Sequence, residues 1–135
     1  MKNCSISFKV IAVTCIIIAC FCFIACRPEQ RVLLVQEESF FSDYEIKDGR
    51  VILTCYLTFY NPYSSEVKVN VYGDFSKDVE NGLLKSSELI GHCDGEEILV
   101  LSPEKTSIYV TFIGDYGGVP QKHNRELPDI EVILT

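Results

Sequence analysis

The chain of 135 residues has no tryptophan, one methionine, two histidines and few basic side chains, 12 Lys and Arg against 19 Asp and Glu. Each shortage excludes something. A domain that binds nucleic acid needs a basic footprint to neutralise phosphate, and a formal charge of −7 has the wrong sign. With only His92 and His123 to serve as imidazole bases, and no Gly-x-Ser-x-Gly elbow, nucleophilic catalysis has no foundation. A phosphate loop is absent as well: Gly114-Asp115-Tyr116-Gly117-Gly118 has the wrong length and lacks the lysine. No enzyme activity is therefore expected.

What the chain does have is an uncharged apolar run from Val10 to Ala25, set between Lys9 and the polar segment that begins at Arg27. Lys2 and Lys9 precede the run, no acid does, and the small residue Ala25 ends it before Cys26. That is the layout of an export signal. The rival reading is a membrane anchor. Sixteen residues at about 1.5 Å each cover roughly 25 Å, short of the hydrocarbon core of about 30 Å. The expected domains are residues 1–26 as signal peptide or apolar anchor helix, 27–38 as linker and 39–135 as the folded part.

Phe23-Ile24-Ala25-Cys26 resembles the lipobox of bacterial lipoproteins, whose cysteine receives a diacylglycerol thioether and becomes the new N-terminus. The resemblance implies lipidation of Cys26 and a protein held on the extracytoplasmic face of the cell membrane. Phe23 departs from the aliphatic residue usual there. Ile17-Ile18-Ala19-Cys20 matches the side-chain classes better, but cleavage at Cys20 would leave Phe21 to Ala25 as an apolar stub.

Five of the seven cysteines (Cys4, Cys15, Cys20, Cys22 and Cys26) fall in this leader. Cys55 and Cys93 belong to the rest. They could form a disulfide closing a loop of about 38 residues, worth about 4 kcal/mol in the chain-entropy view. The alternative is that Cys55 is a small buried hydrophobe and Cys93 a free thiol. Without the first 25 residues, ten basic side chains face nineteen acidic ones, a formal charge of −9. Anionic lipid would repel such a domain, so membrane attachment must come from the leader.

The remainder alternates. Phe40, Tyr44 and Ile46 oppose Phe41, Asp43, Glu45 and Lys47, and Asp48-Gly49 supplies a two-residue hairpin turn. From Arg50 to Tyr60, Val51, Leu53, Cys55, Leu57 and Phe59 share one face of a long strand. Asn61 to Ser65 is a turn, and Val67, Val69, Val71 and Phe75 form the apolar face of the next strand. Residues 76–87 read as irregular. Asp94-Gly95 predicts a second hairpin between 88–93 and 96–101, followed by strands at 106–113 and 130–134 and a long loop at 114–128.

Short strands separated by turns, without an amphipathic helix, predict an all-β protein. The expected form is an antiparallel immunoglobulin-like sandwich of about seven strands. A Cys-Trp-Cys pattern is missing, so it is not a true immunoglobulin domain. The segment Leu57-Thr58-Phe59-Tyr60-Asn61-Pro62, the strand through Val67, Val69 and Val71, and the turn Leu101 to Thr106 resemble late-embryogenesis-abundant-14-type β-sandwiches. The resemblance implies a sandwich and transfers no site residue.

Two candidate recognition surfaces remain. Tyr56, Tyr60, Tyr72 and Tyr109 fall on the less apolar strand faces, and tyrosine offers a broad rigid contact with a polar tip. The 114–128 loop carries Tyr116 and the one local basic cluster, Lys122, His123 and Arg125. His92-Cys93-Asp94 is no zinc site by this reading, since neighbours in a strand point to opposite faces. No metal and no cofactor is expected. The expectation is a non-catalytic binding or structural lipoprotein with a protein partner in the cell envelope; the alternatives are a small exported hydrolase using carboxylates and a single-pass signal-anchored protein.

Overall fold

A computed structural model describes residues 30–122 and 125–135. The N-terminal apolar run with Cys26, and His123, lie outside the described residues. Residues Arg31–Thr135 form one compact unit. It is built from eight antiparallel strands: β1 (Leu33–Leu34), β2 (Phe40–Lys47), β3 (Arg50–Asn61), β4 (Val67–Asp74), β5 (Glu88–His92), β6 (Leu99–Leu101), β7 (Glu104–Asp115) and β8 (Asp129–Leu134). A short helix, Ser76–Glu80, follows β4.

β3 is the spine, and the residues expected inward are there: Val51, Leu53, Cys55, Leu57 and Phe59 are all fully buried. Each such side chain contributes about 1.5–3 kcal/mol through the apolar surface it removes from water. Phe112 and Val110 of β7, Val69 and Val71 of β4, and Phe75 complete the core, with Phe75 and Phe112 meeting edge to face at 5.3 Å. The Asp48-Gly49 hairpin forms as expected, with φ of +52° and +74°. These are the positive values a type I′ turn requires.

The sheet is continuous, in the order β1-β3-β7-β5-β4-β6, with β2 also on β3 and β8 also on β4. β1 lies against β8, which leaves a nearly closed, barrel-like sheet. The expected antiparallel all-β architecture is present. β5 joins the β3–β7 side to the β4 side, because Leu89 and Ile90 pair with β4 whereas Gly91 and His92 pair with β7. Gly91 permits the crossing: a Cβ there would meet Val110 Cγ1 at 2.5 Å and Phe112 Cε1 at 3.2 Å.

Three local expectations change for related reasons. The second hairpin exists only at its tip, where Asp94 and Gly95 have φ of +51° and +83° and Cys93 bridges Glu96. Its arms then lie end to end along β4, burying Leu89, Leu99 and Leu101 against the valine strand instead of against each other. β2 carries a bulge between Phe41 and Asp43, so Phe40 faces outward and Tyr44 inward rather than sharing a face. The segment read as linker holds β1 and the turn Gln36–Glu38, both tied to β3. Val35 N–H donates to the Thr58 carbonyl (2.8 Å), and the Thr58 hydroxyl donates to the Glu38 carbonyl (3.1 Å).

Asn61, the residue before Pro62, is a structural clamp. It is 2% exposed, and its amide donates to the carbonyls of Ser65 (3.0 Å) and Leu101 (3.2 Å) while its oxygen accepts from Tyr63 N–H (2.9 Å). The end of β3 is thereby fastened to the turn after it and to β6.

Candidate functional site

Among the described residues, two places bring candidate side chains together. The first is the outer face of β2, β3 and β7. Register sets Phe40 opposite Tyr56 and Tyr56 opposite Tyr109. The rings touch in sequence: Phe40 and Tyr56 stack at 5.1 Å with 27° between planes, and Tyr56 meets Tyr109 edge-on at 5.0 Å. Phe40 is 51% exposed and Tyr109 57%. Two registers along, Ile52 faces Ile113, which is also exposed. A row of three rings thus spans three strands on the outer face, Tyr56 half-buried between its exposed neighbours, where β propensity alone asks only for scattered Thr and Tyr.

Of the tyrosines singled out in the sequence, Tyr56 and Tyr109 belong to this row. Tyr60 lies further along β3, beside Lys105 of β7 and Leu33 of β1. Tyr72 is on β4, paired with Ile90 and Glu131, and does not join them. Tyr116 is turned against the core, its N–H donating to the Gly49 carbonyl at 3.0 Å. Phe40 was not a candidate, because strict alternation assigns it to the face of Tyr44. Only the bulge turns it out.

The second place is an open cleft of about 510 Å³ lined by Phe41, Asp74, Asp78, Lys122, Arg125 and Asp129 among others. Its floor is an ion pair between Arg125 and Asp78, whose side chains are 14% and 6% exposed. Arg125 also lies over the rings of Phe41 (5.3 Å) and Tyr44 (5.7 Å). The Tyr44 hydroxyl donates to the Gln121 carbonyl, and Gln121 Nε2 donates to the Asn81 carbonyl at 3.1 Å. Gly117 holds the other end of the loop, since a Cβ there would stand 2.3 Å from the Gly82 carbonyl oxygen. Arg125 therefore fastens the loop to the barrel and is not a free cation. Lys122 is exposed.

Asp78 gave no sequence signal, since it falls in the weakly patterned stretch after β4. On the cleft wall, hydrogen bonds from the Ser76 hydroxyl (2.5 Å) and N–H (2.9 Å) hold the Asp74 carboxyl below its ordinary range.

Cys55 and Cys93 are both free thiols. Burial pushes Cys55 up to about 12, opposed by the nearby charge of Arg125. Desolvation, then the neighbouring Asp94 carboxylate, raises Cys93. His92 Nε2 is 3.5 Å from Glu97 Oε1, and no group of three or more His, Cys, Asp or Glu able to hold a metal occurs among the described residues. No protein-family model, curated protein or solved structure matches this chain.

Proposed function

We propose that this protein is a membrane-anchored, extracytoplasmic binding module of the bacterial lipoprotein type, without catalytic activity of its own. The observation that carries the binding role is the row formed by exposed Phe40 and Tyr109 with half-buried Tyr56 between them, because aromatic side chains of low conformational entropy are the anchors around which protein interfaces form. The anchoring role is supported by the leader and by the formal charge of −9 outside it, which leaves no electrostatic route to anionic lipid. The finer topology we favour is an immunoglobulin-like or late-embryogenesis-abundant-14-like sandwich whose two sheets are joined through β5. The partner is a protein of the cell envelope that presents an apolar or aromatic patch to the row.

Cross-linking of the intact anchored protein, followed by mass spectrometry, tests the binding role. A dominant envelope partner is expected, and Phe40→Ser with Tyr109→Ser should weaken its capture by about tenfold or more. Unchanged capture after those substitutions and Lys122→Ala would remove both candidate surfaces. Anchoring is tested separately: Cys26→Ala is expected to abolish labelling by a radioactive fatty acid and to slow leader removal. Loss in Cys20→Ala, with labelling intact in Cys26→Ala, would move the site.

A further inference from the structure

β7 is covered unequally along its two edges. β3 pairs with it over its full length, Glu104 to Asp115, whereas β5 reaches the opposite edge only at Thr111 and Phe112. From Glu104 to Val110 that edge has no backbone hydrogen-bond partner among the described residues. Half the N–H and C=O groups of a seven-residue stretch therefore point outward, ready to accept a strand.

The other edges of the sheet are guarded. β2 carries its bulge and the charges of Asp43, Glu45 and Lys47, β8 lies against β1, and β6, at the end of the strand order, is only three residues long. β7 has one charged side chain within the open stretch beyond its first residue, Lys105, and that is drawn the other way. Its ammonium is 2.5 Å from Oε1 of Glu38, which lies beyond β3 in the turn before β2. The remaining charge of the stretch is Glu104, at its start.

We infer that β7 pairs antiparallel with β7 of a second copy of this chain, on a two-fold axis at Ser107. The open stretch itself selects the occupant and the register. Ser107 is the midpoint of Lys105 to Tyr109, so an axis there pairs five extended residues and leaves out Glu104, whose φ of +66° breaks the extended backbone. It sets Lys105 opposite the second copy's Tyr109 and Thr106 opposite Ile108. No like charges meet, because Lys105 stays on Glu38 of its own copy and faces an uncharged tyrosine, so the register is free of repulsion, as an isologous interface requires. The sheet then runs unbroken through β2, β3 and β7 of both copies. The two ring rows end on neighbouring strands and become one face. The inference rests on the open edge and stands whether or not that face is the recognition surface.

The test is sedimentation equilibrium of the full chain in density-matched detergent micelles, with substitutions chosen by register. The unsubstituted chain should sediment as two copies. Ser107→Asp, which opposes two carboxylates at the axis, should weaken association by about tenfold or more. Tyr109→Lys, placed opposite Lys105, should do the same, whereas Tyr109→Glu should leave the two-copy species intact. An acidic protein repelling its own copy without this register would give the opposite order for the two Tyr109 variants. A single-copy mass at every concentration, the reversed order, or a foreign chain accounting for the added mass would overturn the proposal. Far-ultraviolet circular dichroism of each variant separates loss of pairing from loss of fold.

Discussion

Replacing Asp78 with alanine is expected to destabilise the protein by about 3–5 kcal/mol, because it leaves the Arg125 guanidinium charged, buried and without its counterion. The geometry makes this a severe case. Both side chains are almost wholly withdrawn from water, and Arg125 Nη1 has no hydrogen-bond partner. The aromatic faces of Phe41 and Tyr44 offset part of the desolvation but supply no acceptor. A second substitution, Arg125→Met, should recover most of the loss, since an apolar side chain of similar length fills the same space without a charge to desolvate. Urea denaturation of the four members of this cycle measures the coupling. A coupling below about 1 kcal/mol, the worth of an exposed pair, would mean that the loop is held by contacts other than this one.

Raising the pH should unfold the protein through Cys55, with a loss of up to about 4 kcal/mol. The sign follows from the shift. An ordinary thiol ionises near 9.0, and burial has pushed this one up to about 12, so the folded state prefers the neutral form. Its contribution is fully present below pH 9, where both states are protonated. It then falls progressively as the pH rises towards about 12 and the unfolded chain releases the proton that the folded one retains. Cys55→Val, which keeps an apolar side chain of similar size opposite Val110, should flatten that part of the stability profile. Denaturation midpoints at intervals from pH 8 to 11 test it, and parallel profiles for the two proteins would assign the alkaline loss to other groups.

These two side chains show why parts of the site were legible and others were not. Cys55 could be read inward from its place among Val51, Leu53, Leu57 and Phe59, since a period of two is a property of consecutive residues. The charge on Arg125 was also readable, but not its burial. Its counterion stands 47 residues away in a short helix without a strong pattern, and the rings beneath it come from β2. The ring row divides in the same way. Tyr56 and Tyr109 follow from alternation along their own strands, while Phe40 joins them through a bulge that interrupts alternation. The β5 region had the right turn residues, Asp94-Gly95, and the wrong partners, because a turn specifies its own geometry and not the strand beside which its arms settle.

The amino-acid sequence by itself determined the local matters: a β-rich chain after an uncharged apolar run, the inward face of β3, the tight turn at Asp48-Gly49, and a net negative charge. Each depends on neighbours within a few residues, through the pleat, the sterics of positive φ, or simple charge balance. The tertiary structure alone decided that β5 joins both halves into one nearly closed sheet, that Arg125 is buried on Asp78, and that one edge of β7 stays open. Those outcomes depend on which distant segments bury the most apolar surface together, and this competition is settled by packing across the whole unit.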